Sequence, residues 1–287
     1  MYFWPRRQVF EFYEAMSDAP VDIVYLGETV CAKRRELRLK DWLELAERLA
    51  NAGKEVVLST QALLEAESEL LALERICGQG RFRVEANDMA AVQLLSGRGV
   101  DFVTGPSINI YNLATLERLH RAGMRRWVMP VELGARTLEQ LLQQARDAGL
   151  DEGLETEVFG YGRLPLAYAA RCFTARYRNL PKDNCGFCCI DYPDGLTMRS
   201  QEEGLFTING IQTLSHAHYN LEHQLGAMDR IGVDILRLSP QQQGLETVIR
   251  RFRQRLDGGE PAGIALVDAD SCNGYWYGEP GMKLVSV

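Results

Sequence analysis

The 287-residue sequence predicts an α/β protein built as a (β/α)₈ barrel, with a long cysteine-bearing loop leaving its sixth strand at the C-terminal mouth. Three observations carry that expectation. Runs of β-branched and aromatic residues alternate with amphipathic stretches, the pattern of a parallel sheet. A glycine closes most of the amphipathic stretches just before the next run. Eight such units fit one chain of this length, which suits a closed barrel.

Taken in order, strands are expected at residues 21–27, 55–60, 82–85, 101–104, 126–130, 154–160, about 205–213, and 234–238. The punctuating glycines are Gly53, Gly99, Gly123, Gly149 and Gly232. Past the end of a helix, glycine takes the left-handed conformation that closes the last turn at little steric cost. The helices between are legible by period. Trp42, Leu45, Ala46 and Leu49 share one face, as do Leu138, Leu141, Leu142 and Ala145. Thr137 followed by Gln140 reads as a capping box opening the second of these helices. An open doubly wound sheet is the alternative architecture. Gly27 stands alone after the first strand, without the glycine-rich fingerprint of a dinucleotide fold.

With 46% hydrophobic and 25% charged residues, the chain has ample material for a core. The expectation is a single domain over 1–287 with a cysteine-rich insertion at about 165–204. A net charge of −7 argues against general nucleic-acid binding, which needs a basic footprint. The N-terminus places aromatics before cations with no apolar segment behind them, unlike a secretory signal. No apolar run reaches the roughly 18 residues of a membrane helix. The expectation is therefore a cytoplasmic protein whose thiols stay reduced.

Four of the seven cysteines, Cys172, Cys185, Cys188 and Cys189, fall in one segment, among the cations Arg171, Arg176, Arg178 and Lys182. Thiolates are the ligands that soft metals and iron–sulfur clusters select. Adjacent Cys188 and Cys189 point different ways in most backbones, so one of the two is expected as a ligand. That makes three local ligands, with Cys31 and Cys272 the candidates for a fourth. Cys77 reads as a small core residue. One Cys-x-x-Cys, an isolated Cys172 and a distant fourth leave a structural zinc and an iron–sulfur cluster both open. On a barrel, Cys31 after strand one and Cys172 after strand six leave the same end of the sheet, where barrel sites lie. In the segment that also holds His223, His216 and His218 share one strand face and are candidates for the mouth as ligands or proton-transfer groups, with ordinary polar loop and helix roles the preferred reading. Glu28, Glu132 and Glu157, after or within strands, are weak candidates singly. Neither a nucleophile elbow nor a His-Glu-x-x-His motif is present in the sequence.

From Glu157 the sequence runs E-V-F-G-Y-G-R-L-P-L-A-Y-A-A-R-C. It resembles the signature of the collagenase-like peptidase family, matching at Glu157, Phe159, Gly162, Leu164 and Cys172. It departs at Pro165, where that signature has its first cysteine, at Ala170, where it has glycine, and at Ala175, where it has serine. The phrases Y-L-G-E-T-V-C-A-K-R-R, W-V-M-P-V-E-L, N-G-I-Q-T, L-R-L-S-P-Q and C-N-G-Y-W resemble the branch serving oxygen-independent ubiquinone biosynthesis. That branch lacks the same first cysteine and draws a ligand from near its first strand. The resemblance implies a 4Fe–4S cluster on Cys31, Cys172, Cys185 and Cys189. It also implies a UbiU-like partner in a heterodimer, a UbiT-like lipid carrier, and hydroxylation of ubiquinone precursors without molecular oxygen. It assigns no catalytic residue. A cluster held by four thiolates has no vacant iron site, so its expected role is electron transfer. A zinc-stabilised binding subunit and an RNA hydroxylase of the same family are the alternatives, and proteolysis is not expected.

Overall fold

The structure is a computed structural model, and it describes residues 2–150, 152–261, 266 and 271–286. In chain order the elements are α1 (Arg6–Asp18), β1 (Ile23–Leu26), α2 (Leu39–Asn51), β2 (Glu55–Ser59), α3 (Glu67–Cys77) and β3 (Arg83–Ala86). There follow α4 (Met89–Gly97), β4 (Phe102–Thr104), α5 (Leu113–Arg121), β5 (Met124–Val128), α6 (Ala135–Asp147) and β6 (Glu155–Tyr168). The remainder is α7 (Phe173–Tyr177), β7 (Leu196–Ser200), β8 (Glu203–Asn209), β9 (Gln212–Asn220), α8 (Leu225–Ile231), β10 (Ile235–Leu238), α9 (Leu245–Leu256) and β11 (Ser271–Cys272).

Strands β1 to β6 pair in sequence order, all parallel, and β10 pairs β6, again parallel. All five punctuating glycines have positive φ, from 63° at Gly99 to 108° at Gly123. The amphipathic faces behave as their periods require, with Leu45, Ala46 and Leu49 buried on α2 and Leu138, Leu141, Leu142 and Ala145 on α6.

The sheet is curled, and its side chains show by how much. In strand order, four spacings separate β3 from β10 and five separate β1 from β6. On a flat sheet those are about 19 Å and 24 Å at roughly 4.8 Å per strand. Yet Arg237 of β10 bonds Glu85 of β3 at 2.7 Å, and the Tyr25 hydroxyl of β1 reaches Glu157 of β6 at 2.5 Å. The sheet is thus a half-barrel whose concave face meets itself. Val57, Val103 and Val128, from β2, β4 and β5, pack there against Ile23 and Tyr25. Helices cover the convex face, where the largest core holds Phe102, Trp127 and Leu138. Among the described residues no ladder joins β1 to β10.

Three sequence expectations are corrected. Residues 205–213 are not a seventh parallel strand. They contain the end of β8, a two-residue turn at Gly210–Ile211 with Gly210 at φ 69°, and the start of β9. The hairpin, with β7, continues the sheet antiparallel from an extended β6. Asn-Gly between two apolar runs is a hairpin signal, and the hairpin was hidden by reading both arms as one strand. The strand expected at 234–238 accordingly becomes the direct neighbour of β6. Helix α6 begins at Ala135 behind Gly134 with no side-chain cap, so Thr137 is not its N-cap. Helix α1, which buries Val9 and Tyr13, was not anticipated.

A buried ion cluster ties α9 to the turn before α8. Glu222, 1% exposed, accepts from Arg251 Nη2 and Arg255 Nε, each at 2.8 Å. Burial acts to raise this carboxyl's pKa, but hydrogen bonds from Arg255 and Arg251 outweigh it and hold the value below the ordinary 4.5. A depressed folded-state pKa gives stability that is present above the unfolded value and lost as pH falls through the folded one. In urea titrations, the midpoint of Glu222→Gln should therefore lie below wild type at pH 7, with the gap narrowing in acid. A gap independent of pH would contradict this role.

Candidate functional site

The loops leaving β1 and β6 at their carboxyl ends each deliver cysteine. Cys31 follows Leu26 by a short loop, and Glu28 shapes that loop by accepting the backbone N–H of Val30 at 2.8 Å and of Cys31 at 3.1 Å. Gly27 is required at the loop's start: at φ 139°, a Cβ there would lie 2.5 Å from the Ser59 carbonyl of β2. Cys172 is the N-cap of α7, its Sγ accepting from the Ala175 N–H at 3.4 Å. Gly186 and Phe187, at φ 59° and 54°, bend the chain back so that Cys185, Cys188 and Cys189 all come from one tight coil.

These segments meet. Cys31 lies within electrostatic reach of Cys172, Cys189 within reach of Cys172 and Cys31, and Cys188 within reach of Cys172 and Cys185. All five are partly buried free thiols. The adjacent pair does diverge: Cys189 faces Arg34, while Cys188 lies on the side of Arg178 and Asp191. Burial pushes Cys31 and Cys188 up, and pushes Cys189 up to about 11 against the pull of Arg34. Binding a metal must therefore drive off protons, as thiolate sites do.

The β8–β9 turn is the clasp. The Gly210 carbonyl accepts the Phe173 N–H at 3.0 Å, and its own N–H donates to Thr174 Oγ1 at 3.1 Å. A Cβ on Gly210 would lie 2.9 Å from Arg34 Nη2. The turn thus presses the Cys172 helix and the Cys31 loop together, across strands that are not neighbours.

Charge completes the pocket. Of the cations noted in the sequence, Lys182 pairs with Glu65 and Arg178 with Asp191, while Arg171 and Arg176 are exposed. The buried cation at the thiols is Arg34, 5% exposed, which sequence reasoning missed because Lys33, Arg34 and Arg35 look alike in a row. Lys33 also reaches Cys31 and Cys185 but is paired with Asp183. The Nε and Nη1 of Arg34 have no oxygen or nitrogen hydrogen-bond acceptor, Glu28 standing 3.7 Å from Nη1, and the Cys189 sulfur lies within hydrogen-bonding reach. Such guanidinium nitrogens beside clustered thiols fit a negatively charged, thiolate-bound group such as an iron–sulfur cluster. Among the described residues no three His, Cys, Asp or Glu side chains stand close enough to hold a single metal ion. The fit rests on the shared neighbourhood and the buried cation. Cys77 and Cys272 lie apart in the apolar core, 3% and 0% exposed.

Below the pocket, the concave face carries a charged layer. Arg237 donates to Glu157 at 2.5 Å and to Glu85 at 2.7 Å, and its guanidinium lies 4.0 Å from the Tyr25 ring centroid. Burial acts to raise the Glu85 carboxyl, yet Arg237, with hydrogen bonds from Ser59 and Asn87, holds it below the ordinary value. A cavity of about 940 Å³ includes this layer and reaches Tyr168, Gln212 and Asn209. Of the other polar candidates, Glu157 is wholly buried in the layer, Glu28 holds the Cys31 loop, and Glu132 is exposed and bonded to Tyr111. His218 stacks on Tyr161 and bonds Gln241 at 3.2 Å, and His216 shares its strand, β9. His223 lies in the short 3₁₀ turn before α8.

Fold and site define an α/β half-barrel bearing a thiol pocket on the loops that leave its strands. The model of Peptidase family U32 matches residues 8–262, and the chain belongs to that family. It is 31% identical over 80 residues to tRNA hydroxylation protein P of Escherichia coli K12, a match spanning 28% of this chain and 16% of that protein. It is also similar to the solved structure of the U32 peptidase Mk0906, with 9% identity and a TM-score of 0.42, over 80% of this chain and 89% of that one.

Proposed function

We propose that this chain is a UbiV-like iron–sulfur subunit of an oxygen-independent hydroxylation system for ubiquinone biosynthesis. In this reading a 4Fe–4S cluster sits on Cys31, Cys172, Cys185 and Cys189. The chain works in the cytoplasm as a heterodimer with a UbiU-like protein, on substrate presented by a UbiT-like lipid carrier. The half-barrel is one part of a closed (β/α)₈ barrel. The observation that carries the proposal is the meeting of Cys31 with the Cys172–Cys189 coil beside a buried guanidinium that turns two of its nitrogens, without oxygen or nitrogen acceptors, toward the thiols.

Bound there, the cluster supplies one-electron transfer, since four thiolate ligands leave no iron open to substrate. The chain's own residues hold it: Glu28 fixes the Cys31 loop, Gly210 clamps that loop to α7, and Arg34 offsets negative charge. No described helix is long and apolar enough to cross a membrane. A separate lipid carrier therefore suits a polyprenyl substrate.

The match to tRNA hydroxylation protein P supports a second reading, hydroxylation of RNA. One experiment separates the two. The gene is deleted in its host, anaerobic cultures are extracted, and quinones and modified tRNA nucleosides are both quantified. The proposal predicts loss of ubiquinone with accumulation of under-hydroxylated precursors, and unchanged tRNA nucleosides. Intact ubiquinone with a missing hydroxylated nucleoside would overturn it in favour of RNA.

A further inference from the structure

Arg34 is held more firmly than a counter-charge requires. Its Nη2 donates to Asn209 Oδ1 at 2.7 Å. Asn209 Nδ2 donates to Gln212 at 3.0 Å, and Gln212 Nε2 to the Tyr168 hydroxyl at 2.8 Å. The Phe3 ring centroid lies 5.3 Å from its guanidinium carbon. A carboxylate is near but does not satisfy it: Glu28 Oε1 is 3.7 Å from Nη1 and already accepts the N–H groups of Val30 and Cys31. Nε and Nη1 have no oxygen or nitrogen acceptor, in a side chain only 2% exposed that faces Cys31 and has the Cys189 sulfur within hydrogen-bonding reach. A buried donor without an acceptor is costly, more so when charged, and the acceptor within reach of these nitrogens is the Cys189 sulfur.

We infer that Arg34 is the positioning residue that sets the reduction potential of a cluster in this pocket, donating from Nε and Nη1 to the Cys189 sulfur. The inference rests on the cluster reading above. In the redox step the cluster gains one electron from a low-potential donor, and no bond or proton moves. The added negative charge is stabilised by a fixed cation more in the reduced than in the oxidised form. Burial strengthens that difference. Arg34 therefore raises the potential, and the polar chain through Asn209 and Gln212 keeps its fork aimed. Lysine keeps the charge but not the planar fork, so it restores only part of the effect.

The test is a dithionite titration followed by electron paramagnetic resonance on anaerobically reconstituted wild type, Arg34→Gln and Arg34→Lys, with exposed Arg176→Gln as control. Iron and sulfide are assayed on each. Arg34→Gln should retain a cluster whose reduced-to-oxidised ratio at fixed potential falls about tenfold, a downward shift of about 59 mV for one electron. Arg34→Lys should fall between Arg34→Gln and wild type, and Arg176→Gln should match wild type. A wild type without iron would defeat the cluster reading itself. A loaded Arg34→Gln with the wild-type midpoint would overturn this inference alone. If Arg34→Gln fails to fold, Arg34→Lys decides, and an unshifted midpoint there counts against it.

Discussion

Alanine at Cys31, Cys172, Cys185 or Cys189 should each remove most of the iron and broad visible absorbance from the anaerobically purified protein. Alanine at Cys188, Cys77 or Cys272 should leave both nearly unchanged. Cys31 and Cys189 face Arg34, Cys172 lies within reach of both, and Cys185 lies beside Lys33 and Cys188. On the cluster reading, losing any one of the four would expose iron to solvent and oxidant. Cys77 and Cys272 are buried core residues away from it, where alanine removes a small hydrophobe and leaves no ligand position open. Cys188 is the discriminating case. It neighbours Cys172 and Cys185, but on the Arg178–Asp191 side, whereas Cys189 faces Arg34 and Cys31. Iron lost in Cys188→Ala and kept in Cys189→Ala would reverse that assignment. A full complement in Cys31→Ala would remove the β1 loop from the site.

Glu157→Ala should give the largest loss of stability of any single change in the sheet interior, about 3–5 kcal/mol, the usual result of breaking a buried ion pair from one side. The substitution leaves Arg237 with Glu85 alone and takes the acceptor from the Tyr25 hydroxyl. Those contacts bind β10 and β1 to β6 across the concave face, so the curl itself weakens. Glu157→Gln keeps the volume and an acceptor and should lose less. Urea unfolding followed by circular dichroism measures both. A loss under about 1 kcal/mol for Glu157→Ala would mean the layer is not holding the curl.

Much of this was legible in the sequence where a local signal and a tertiary requirement agree. Helices α2 and α6 bury the faces their periods mark, and the five helix-closing glycines adopt the left-handed conformation that placed them. The position of the cysteines after β1 and β6 was readable from strand order alone. Their meeting was not, because it depends on the β8–β9 hairpin, whose Asn209-Gly210 turn was absorbed into one long apolar run. Pro165 adds to that difficulty. It cannot donate to a ladder, and β6 shifts register on either side of it, yet the strand runs on to Tyr168. Arg34 and Arg237 stayed hidden for a different reason. Burial gives a guanidinium its meaning, and nothing in a run such as Lys33-Arg34-Arg35 states which side chain turns inward.

The central claim is that the thiol pocket holds an iron–sulfur cluster, and its most direct test is composition. The wild-type protein, purified and kept without oxygen, is assayed for iron, acid-labile sulfide and zinc, and its visible spectrum is recorded before and after dithionite. The account predicts about four iron and four sulfide per chain, as a four-thiolate cubane requires, with broad absorbance that bleaches on reduction. A colourless protein carrying about one zinc per chain, silent to dithionite, would contradict it.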